Sequence, residues 1–151
     1  MSGTIICALD DSDGSVAAVH VARRLAERFD ARMLLVSIAD GFHTDTVGPA
    51  ARQARIGAER RLQAVVAEQD LAHAERRVAA GDPAEAVAVI AAEEAAELIV
   101  VGARLGVLGR MLLTSFAREL AATAPCPVVV APPESADPAP ARAARPQPAL
   151  G

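Results

Sequence analysis

Lysine, tryptophan and tyrosine are all absent from this chain of 151 residues, whose aromatic side chains are three phenylalanines. Without lysine, no Schiff base and no lysine phosphate clamp can form, and all fifteen basic residues are arginine. Nucleic-acid binding usually needs aromatic platforms and a basic surface. The scarcity of rings and the formal net charge of −4 therefore argue against a nucleic-acid partner.

Cysteine and long apolar runs are also scarce. The two cysteines, Cys7 and Cys126, lie among apolar residues without the spacing of a metal site, so we expect buried thiols in a reducing compartment. No apolar run approaches the ~18 residues of a membrane span, and the chain enters a strand almost at once. We therefore expect a cytoplasmic protein with neither a signal peptide nor a membrane partner.

Short apolar runs rich in β-branched residues alternate with segments of helical spacing along the chain. The predicted strands cover residues 4–9, 33–39, 74–80, 98–101 and 127–131. Residues 74–80 begin with charges, which suits an edge strand. The alternation predicts an α/β fold of the doubly wound, Rossmann-like kind, with a five-stranded, mostly parallel sheet and helices on both faces.

Four helices are predicted between these strands, at residues 15–29, 49–69, 83–95 and 115–124. Asp82 and Pro83 mark the start of the third helix, as its N-cap and its first helical residue. The arginines of the second helix predict a solvated face, with an anion site as the alternative. These arginines are Arg52, Arg55, Arg60 and Arg61. The stripe that the first helix should bury consists of Val16, Val19, Ala22, Ala26 and Phe29.

The C-terminal part of the chain differs in composition from the rest. From Pro132 onward the sequence is Pro, Ala and Arg with hardly any large apolar residue. Such a segment cannot bury enough surface to order itself. We therefore expect one domain over residues 1–132 and a disordered tail over residues 133–151.

A glycine-rich segment follows the fourth predicted strand. It runs from Gly102 through Gly106 and Gly109 to the hydroxyl pair Thr114 and Ser115, which can open a helix. Strand, glycine loop and helix start together bring backbone N–H groups to a phosphate, although neither G-x-G-x-x-G nor a terminal G-K-[ST] is present. The alternative is a plain strand-to-helix connection in which Ser115 is only an N-cap. If the first and fourth strands are neighbours, the polar exits of both face one crevice.

Over residues 4–131 the sequence resembles the universal stress protein family of the UspA type. Asp10 with Ser12 after the first strand carries the resemblance, together with Gly-Asp-Pro-Ala-Glu-Ala at residues 81–86 and Leu-Ile-Val-Val-Gly at residues 98–102. Ala-Pro-Cys-Pro-Val-Val-Val follows at residues 124–130. The resemblance implies a five-stranded parallel sheet and a homodimer formed through the last strand, which begins at Pro127 and ends at Ala131. It also implies ATP binding, which many members perform with the motif G-x2-G-x9-G-[ST].

The resemblance also implies a set of site residues. The first glycine of the motif would be Gly102 and its hydroxyl Ser115, while Ile38 would line the base pocket. Asp10 would orient the base or the ribose, or hold a metal ion such as Mg²⁺. Arg104 and the backbone of the final helix would lie beside the ribose and phosphates. The full predicted set is Ala8, Leu9, Asp10, Ile38, Val101, Gly102, Arg104, Leu105, Gly106, Thr114, Ser115, Phe116 and Ala117.

The sequence departs from the family motif in three ways. Leu105 stands where the second glycine belongs, with Gly106 one place late, and the loop is one residue shorter. Thr114 replaces the third glycine, at a cost on the order of 1–2 kcal/mol if that backbone needs a positive φ. Some members without the motif do not bind ATP. The alternative is therefore a nucleotide-independent dimeric interaction protein.

Two other classes with this layout fit poorly. A phosphoacceptor receiver domain needs an acceptor Asp after its third strand and a lysine, and this chain has neither. A flavodoxin-like carrier lacks the Trp or Tyr that would flank its flavin ring. Enzymatic activity is poorly supported as well, because no motif sets a nucleophile beside His20, His43 or His73. Slow ATP hydrolysis is the most that we expect.

Overall fold

A computed structural model describes residues 3–9, 15–39, 48–105 and 111–133 of the chain. The predicted tail beyond Pro133, the polar turn at residues 10–14 and most of the predicted loop at 40–48 lie outside the described residues. The elements in chain order are β1 (Thr4–Leu9), α1 (Ser15–Phe29), β2 (Arg32–Ala39), α2 (Pro49–Gln69), β3 (Glu75–Ala80), α3 (Pro83–Glu93), β4 (Ala96–Gly102), β5 (Arg104–Leu105), β6 (Met111–Leu112), α4 (Ser115–Thr123) and β7 (Val128–Ala131).

Five of the strands form one sheet in the order β3-β2-β1-β4-β7, and every neighbouring pair in it is parallel. The predicted α/β fold is therefore confirmed, and β3 lies at an edge as expected. The remaining two strands, β5 and β6, pair with each other in an antiparallel hairpin. Central β1 is buried along its whole length, which matches its continuous apolar sequence.

Alternate side chains of β1 enter two separate cores, because successive residues of a strand point to opposite faces. Ile5, Cys7 and Leu9 pack in a cluster with buried residues of α1 and α2. Ile6 and Ala8 pack in a second cluster with buried residues of α3 and α4. The sheet thus carries two helices on each face. The many alanines of these helices let their backbones approach the sheet closely.

The buried stripe of α1 differs from the prediction at both ends. Its buried residues are Ala17, Ala18, Val19, Ala22 and Ala26. Val16 is 41% exposed and Phe29 is 59% exposed. A series spaced by three residues falls about 60° short of a full turn at each step, so it drifts off the face that contacts the sheet. Phe29 is the last residue of the helix, at the end of that face.

Helix α3 begins as its sequence predicts. The side chain of Asp82 accepts a hydrogen bond from the backbone N–H of Glu85 at 3.0 Å, and Pro83 is the first helical residue. Gly81, just before the cap, has a φ of 99°, which side chains rarely tolerate. The helix ends at Glu93, and Ala95 then takes a left-handed φ of 52° before β4 begins.

Arg32 links several polar side chains at the amino ends of the strands. Its guanidinium lies 2.6 Å from Glu75 Oε1 and 2.7 Å from Glu94 Oε1, and it also donates to the hydroxyl of Thr4 at 2.9 Å. The hydrogen bond to Glu75 and, to a smaller extent, the hydrogen bond to Glu94 raise the pKa of Arg32. The polar groups at this end of the sheet therefore satisfy one another.

Both cysteines are free thiols, as expected. Cys7 is fully buried in the core and Cys126 is half-buried. Burial raises the pKa of each thiol, since an apolar environment disfavours the thiolate. Both side chains therefore behave as small apolar groups. In the part of the chain that the structure describes, no helix combines the length and apolar character needed to cross a membrane.

Candidate functional site

The carboxyl ends of three strands meet at one edge of the sheet. Strand β1 pairs with β2 on one side, where Leu9 is opposite Ser37, and with β4 on the other, where Cys7 is opposite Val100. The first and fourth strands of the prediction are therefore neighbours, as the expected crevice requires. In parallel sheets of this kind, ligands bind beyond the strand ends at the point where the strand order reverses. Here that point lies between β1 and β4.

Several predicted site residues share one buried cluster. Ala8, Ile38, Val101 and Ala117 belong to the core on the α3 and α4 face, and each is at most 4% exposed. Half-buried Phe116 packs against the same cluster. Since these side chains are covered, they form an apolar floor beneath this edge of the sheet. Leu9 faces the opposite core, while Asp10 and Gly106 lie outside the described residues.

The segment predicted as a glycine-rich loop contains a short hairpin. Arg104 pairs with Leu112 and Leu105 pairs with Met111, which makes β5 and β6 antiparallel partners. Two-residue strands next to several glycines give no periodic signal, so the sequence did not indicate them. Arg104 is exposed at the start of this hairpin. The connection between β4 and α4 therefore contains a short strand near each of its ends.

Thr114 is the N-cap of α4, a role that the sequence analysis gave to Ser115 in its simpler alternative. The Thr114 hydroxyl accepts a hydrogen bond from the backbone N–H of Ala117 at 3.0 Å. Its φ of −72° and ψ of 161° are ordinary extended values that suit a β-branched residue. The strain considered for a threonine at the third glycine position is therefore absent. Ser115 is the first helical residue, as the predicted helix over residues 115–124 has it.

The cap decides which helix-start donors remain. The hydroxyl of Thr114 already accepts a hydrogen bond from the N–H of Ala117, whose backbone was expected beside the ribose and phosphates. The N–H groups of Ser115 and Phe116 belong to the first turn, where a helix offers them no acceptor of its own. The side chain of Ser115 is exposed beside them. These two N–H groups and one hydroxyl form an anion-facing set of donors at the positive end of the helix dipole.

Gly102 ends β4 and is half-buried. Among the described glycines only Gly81 has a left-handed backbone, so the conformation of Gly102 does not by itself demand glycine. Its value lies in the missing side chain, which leaves the backbone of the strand end open to close approach.

Arg61 is a site residue that sequence reasoning missed. The prediction set it on a solvated face of α2, but it is half-buried. Its Nη1 donates to the Ser37 hydroxyl at 2.9 Å and to the Ile38 carbonyl oxygen at 3.2 Å. The burial of its neighbours explains this position, because Arg61 is three residues after buried Ala58 and four before buried Val65. That spacing sets it on the inward face of the helix.

In the described part of the chain, no group of three or more His, Cys, Asp or Glu side chains could hold a metal ion. His20 lies with its Nε2 2.8 Å from Gln69 Oε1, where it links α1 to α2, and His73 is exposed. His43 lies outside the described residues, as does Asp10, which was expected to orient the base or the ribose or to hold a metal ion.

Two cavities lined by described residues lie away from the carboxyl ends of the strands. A groove of about 540 Å³ runs between α3 and α4 and contains none of the predicted site residues. A second, of about 460 Å³, lies at the amino ends of the strands beside Arg32 and Glu75. Alanines and Val89 line much of the first groove, and Asp82 and Glu85 at the start of α3 complete it. We therefore take the strand ends, and not the larger groove, as the candidate site.

These features define an α/β protein with a candidate ligand site at the carboxyl edge of a parallel sheet. A sequence model described as the universal stress protein family matches residues 1–132. A Thermus aquaticus protein, "Universal stress protein in QAH/OAS sulfhydrylase 3'region", is 33% identical over 135 residues, covering 86% of this chain and 98% of that protein. The chain belongs to the universal stress protein family.

Solved structures agree with this assignment. The universal stress protein UspA from Lactobacillus plantarum matches with a TM-score of 0.70 at 22% identity, over 85% of this chain and 97% of that one. A universal stress protein solved in complex with cAMP matches with a TM-score of 0.57 at 26% identity, over 88% of this chain and 98% of that one. The first likeness supports the fold, and the second concerns a relative that holds an adenine nucleotide.

The capping assignment predicts different costs for two neighbouring hydroxyls. Replacing Thr114 by alanine removes the acceptor of the Ala117 N–H and should lower the free energy of unfolding by about 1 kcal/mol. Ser115→Ala, the matched control, removes a hydroxyl that caps nothing and should change it by less than about 0.5 kcal/mol. Urea denaturation of both variants measures the difference. A larger loss for Ser115→Ala than for Thr114→Ala would contradict the assignment.

Proposed function

We propose that this protein binds an adenine nucleotide, ATP among them, at the carboxyl ends of β1, β2 and β4, and that it acts in stress response by binding and not by fast catalysis. The observation that carries the proposal is the start of α4 after β4, where the first-turn N–H groups of Ser115 and Phe116 have no acceptor within the helix. The relative solved with cAMP, at 26% identity, supports adenine as the base.

The phosphates would lie against the N–H groups of Ser115 and Phe116 and the Ser115 hydroxyl. An anion there gains both hydrogen bonds and the favourable end of the helix dipole. The exposed guanidinium of Arg104 is available nearby along the chain to add charge. Because Thr114 has already satisfied Ala117, the donor set is small, which suits one phosphate group better than a long chain of them.

The base would lie at the other end of the site, over the ends of β1 and β2. Ile38 and Ala8 supply apolar floor there, and backbone groups at the strand ends supply polar contacts. Gly102 would let the sugar and phosphates approach the end of β4. Mg²⁺ would join only if Asp10, the carboxylate expected at this edge, reaches the phosphates.

Two measurements test nucleotide binding. Anion-exchange chromatography of the extract from freshly purified, denatured protein should show an adenine nucleotide at close to one per chain. Titration calorimetry should then show that Ser115→Pro weakens binding of ATP and AMP by about 10- to 100-fold, since it removes an N–H and a hydroxyl that face the phosphate. Proline is tolerated at the first helical position, and Thr114 already has the extended backbone that a following proline requires.

Thr123→Ala is the control for that variant. It removes a hydroxyl at the other end of α4, where Thr123 donates to the Glu119 carbonyl, and should leave nucleotide affinity unchanged. Equal affinity of the parent and Ser115→Pro, or an extract free of nucleotide together with no titratable binding, would refute the proposed phosphate site.

A second candidate is a nucleotide-independent dimeric interaction protein, and the position of β7 favours it. This strand is at an edge of the sheet and consists of three half-buried valines and an alanine. The carbonyl oxygens of Pro127 and Ala131 accept from Ile99 and Ala103 on the β4 side. By alternation, the backbone groups of Val128 and Val130 face outward, where a second copy can pair with them.

Sedimentation of three proteins tests the dimer. The parent should be dimeric with and without ATP, and Val130→Pro, which removes an outward N–H, should be monomeric. Val130→Thr keeps that N–H and a similar shape, so it should stay dimeric. A tight dimer with no nucleotide affinity would favour the second candidate over the first, whereas a monomeric parent would exclude pairing through β7.

A further inference from the structure

Arg61 joins helix α2 to the end of β2 next to the candidate site. Its Nη1 makes two hydrogen bonds in consecutive residues of the strand, one to the Ser37 side chain and one to the Ile38 backbone. Ser37 is fully buried, so its hydroxyl needs a partner inside the protein. The guanidinium supplies that partner with a charge-assisted hydrogen bond.

The residues that Arg61 holds are the ones that shape the base end of the site. Ser37 is opposite Leu9 of β1 in the register of the sheet, at the last pair that joins the two strands. Ile38 follows at once, with a side chain 4% exposed in the same cluster as Ala8 and Val101. A shift of the Ile38 carbonyl would therefore move both the floor and the polar edge offered to a base.

A guanidinium is well suited to this task. It is planar, stays protonated at all physiological pH values and presents its donors in a fixed fork. Most of the other residues on α2 that face the sheet are apolar, with Ala58, Leu62 and Val65 buried on either side of Arg61. An arginine among them costs desolvation, which its hydrogen bonds to Ser37 and Ile38 offset.

We propose that Arg61 is a positioning residue for the base end of the nucleotide site. It fixes the Ile38 carbonyl and the last residues of strand β2, which the base would contact. This inference rests on the proposed nucleotide binding. It assigns Arg61 no contact with the phosphates, so its removal should weaken ligands that carry a base and spare those that do not.

The test compares AMP with ribose 5-phosphate, each displacing a fluorescent adenine nucleotide from the intact protein. Arg61→Met should weaken AMP by about tenfold and leave ribose 5-phosphate within about twofold. Arg61→Lys keeps one donor and should recover part of the AMP affinity. The control is Arg60→Met, the same change at the exposed neighbouring arginine, which should leave both affinities as in the parent.

A variant that fails to fold does not end the test. Ser37→Ala removes the hydroxyl acceptor of Arg61, leaves the hydrogen bond to the Ile38 carbonyl and should weaken AMP alone, by a smaller factor than Arg61→Met. If AMP displaces no fluorescent nucleotide from the parent protein, the proposed function itself fails. If the parent binds AMP but the Arg61 and Ser37 variants weaken both ligands equally, or neither, the positioning role is overturned while nucleotide binding stands.

Discussion

The parallel pairing of β1 with both β2 and β4 is the constraint on which the rest of the molecule depends. Because all the strands of this sheet run the same way, their carboxyl ends lie at one edge. Strand β1 is central and has β2 on one side and β4 on the other. The same strand divides its side chains between two cores, one under α1 and α2 and one under α3 and α4. A ligand site at this edge follows from the topology before any particular side chain is considered.

The two ends of the sheet show opposite chemistry. At the amino end, Arg32 is satisfied by Glu75, Glu94 and Thr4, so polar groups there neutralise one another. At the carboxyl end, the start of α4 keeps first-turn N–H groups that the helix cannot satisfy. Thr114 reduces the number of unpaired N–H groups, because its hydroxyl accepts the hydrogen bond from Ala117. The residue that departs from the family motif is therefore the N-cap of α4. The altered glycine loop therefore carries no strain at this position.

Sequence reasoning succeeded where local signals are strong. Continuous β-branched runs predicted the central strands, and the Asp82-Pro83 pair predicted the start of α3. It failed where geometry depends on neighbours. The role of Thr114 depends on the exact residue at which α4 begins, and the β5–β6 hairpin is too short to show periodicity. Arg61 has the pattern of a surface residue until the burial of Ala58 and Val65 is known.

The central claim is that an adenine nucleotide binds where β1, β2 and β4 end and α4 begins. Amide chemical shifts of ¹⁵N-labelled protein, followed by NMR while AMP is added, test it most directly. The account predicts that the largest shifts occur at Leu9, Ile38, Gly102, Ser115 and Phe116, with little change along the groove between α3 and α4. Saturable shifts confined to that groove, around Ala88 and Ala122, would contradict it.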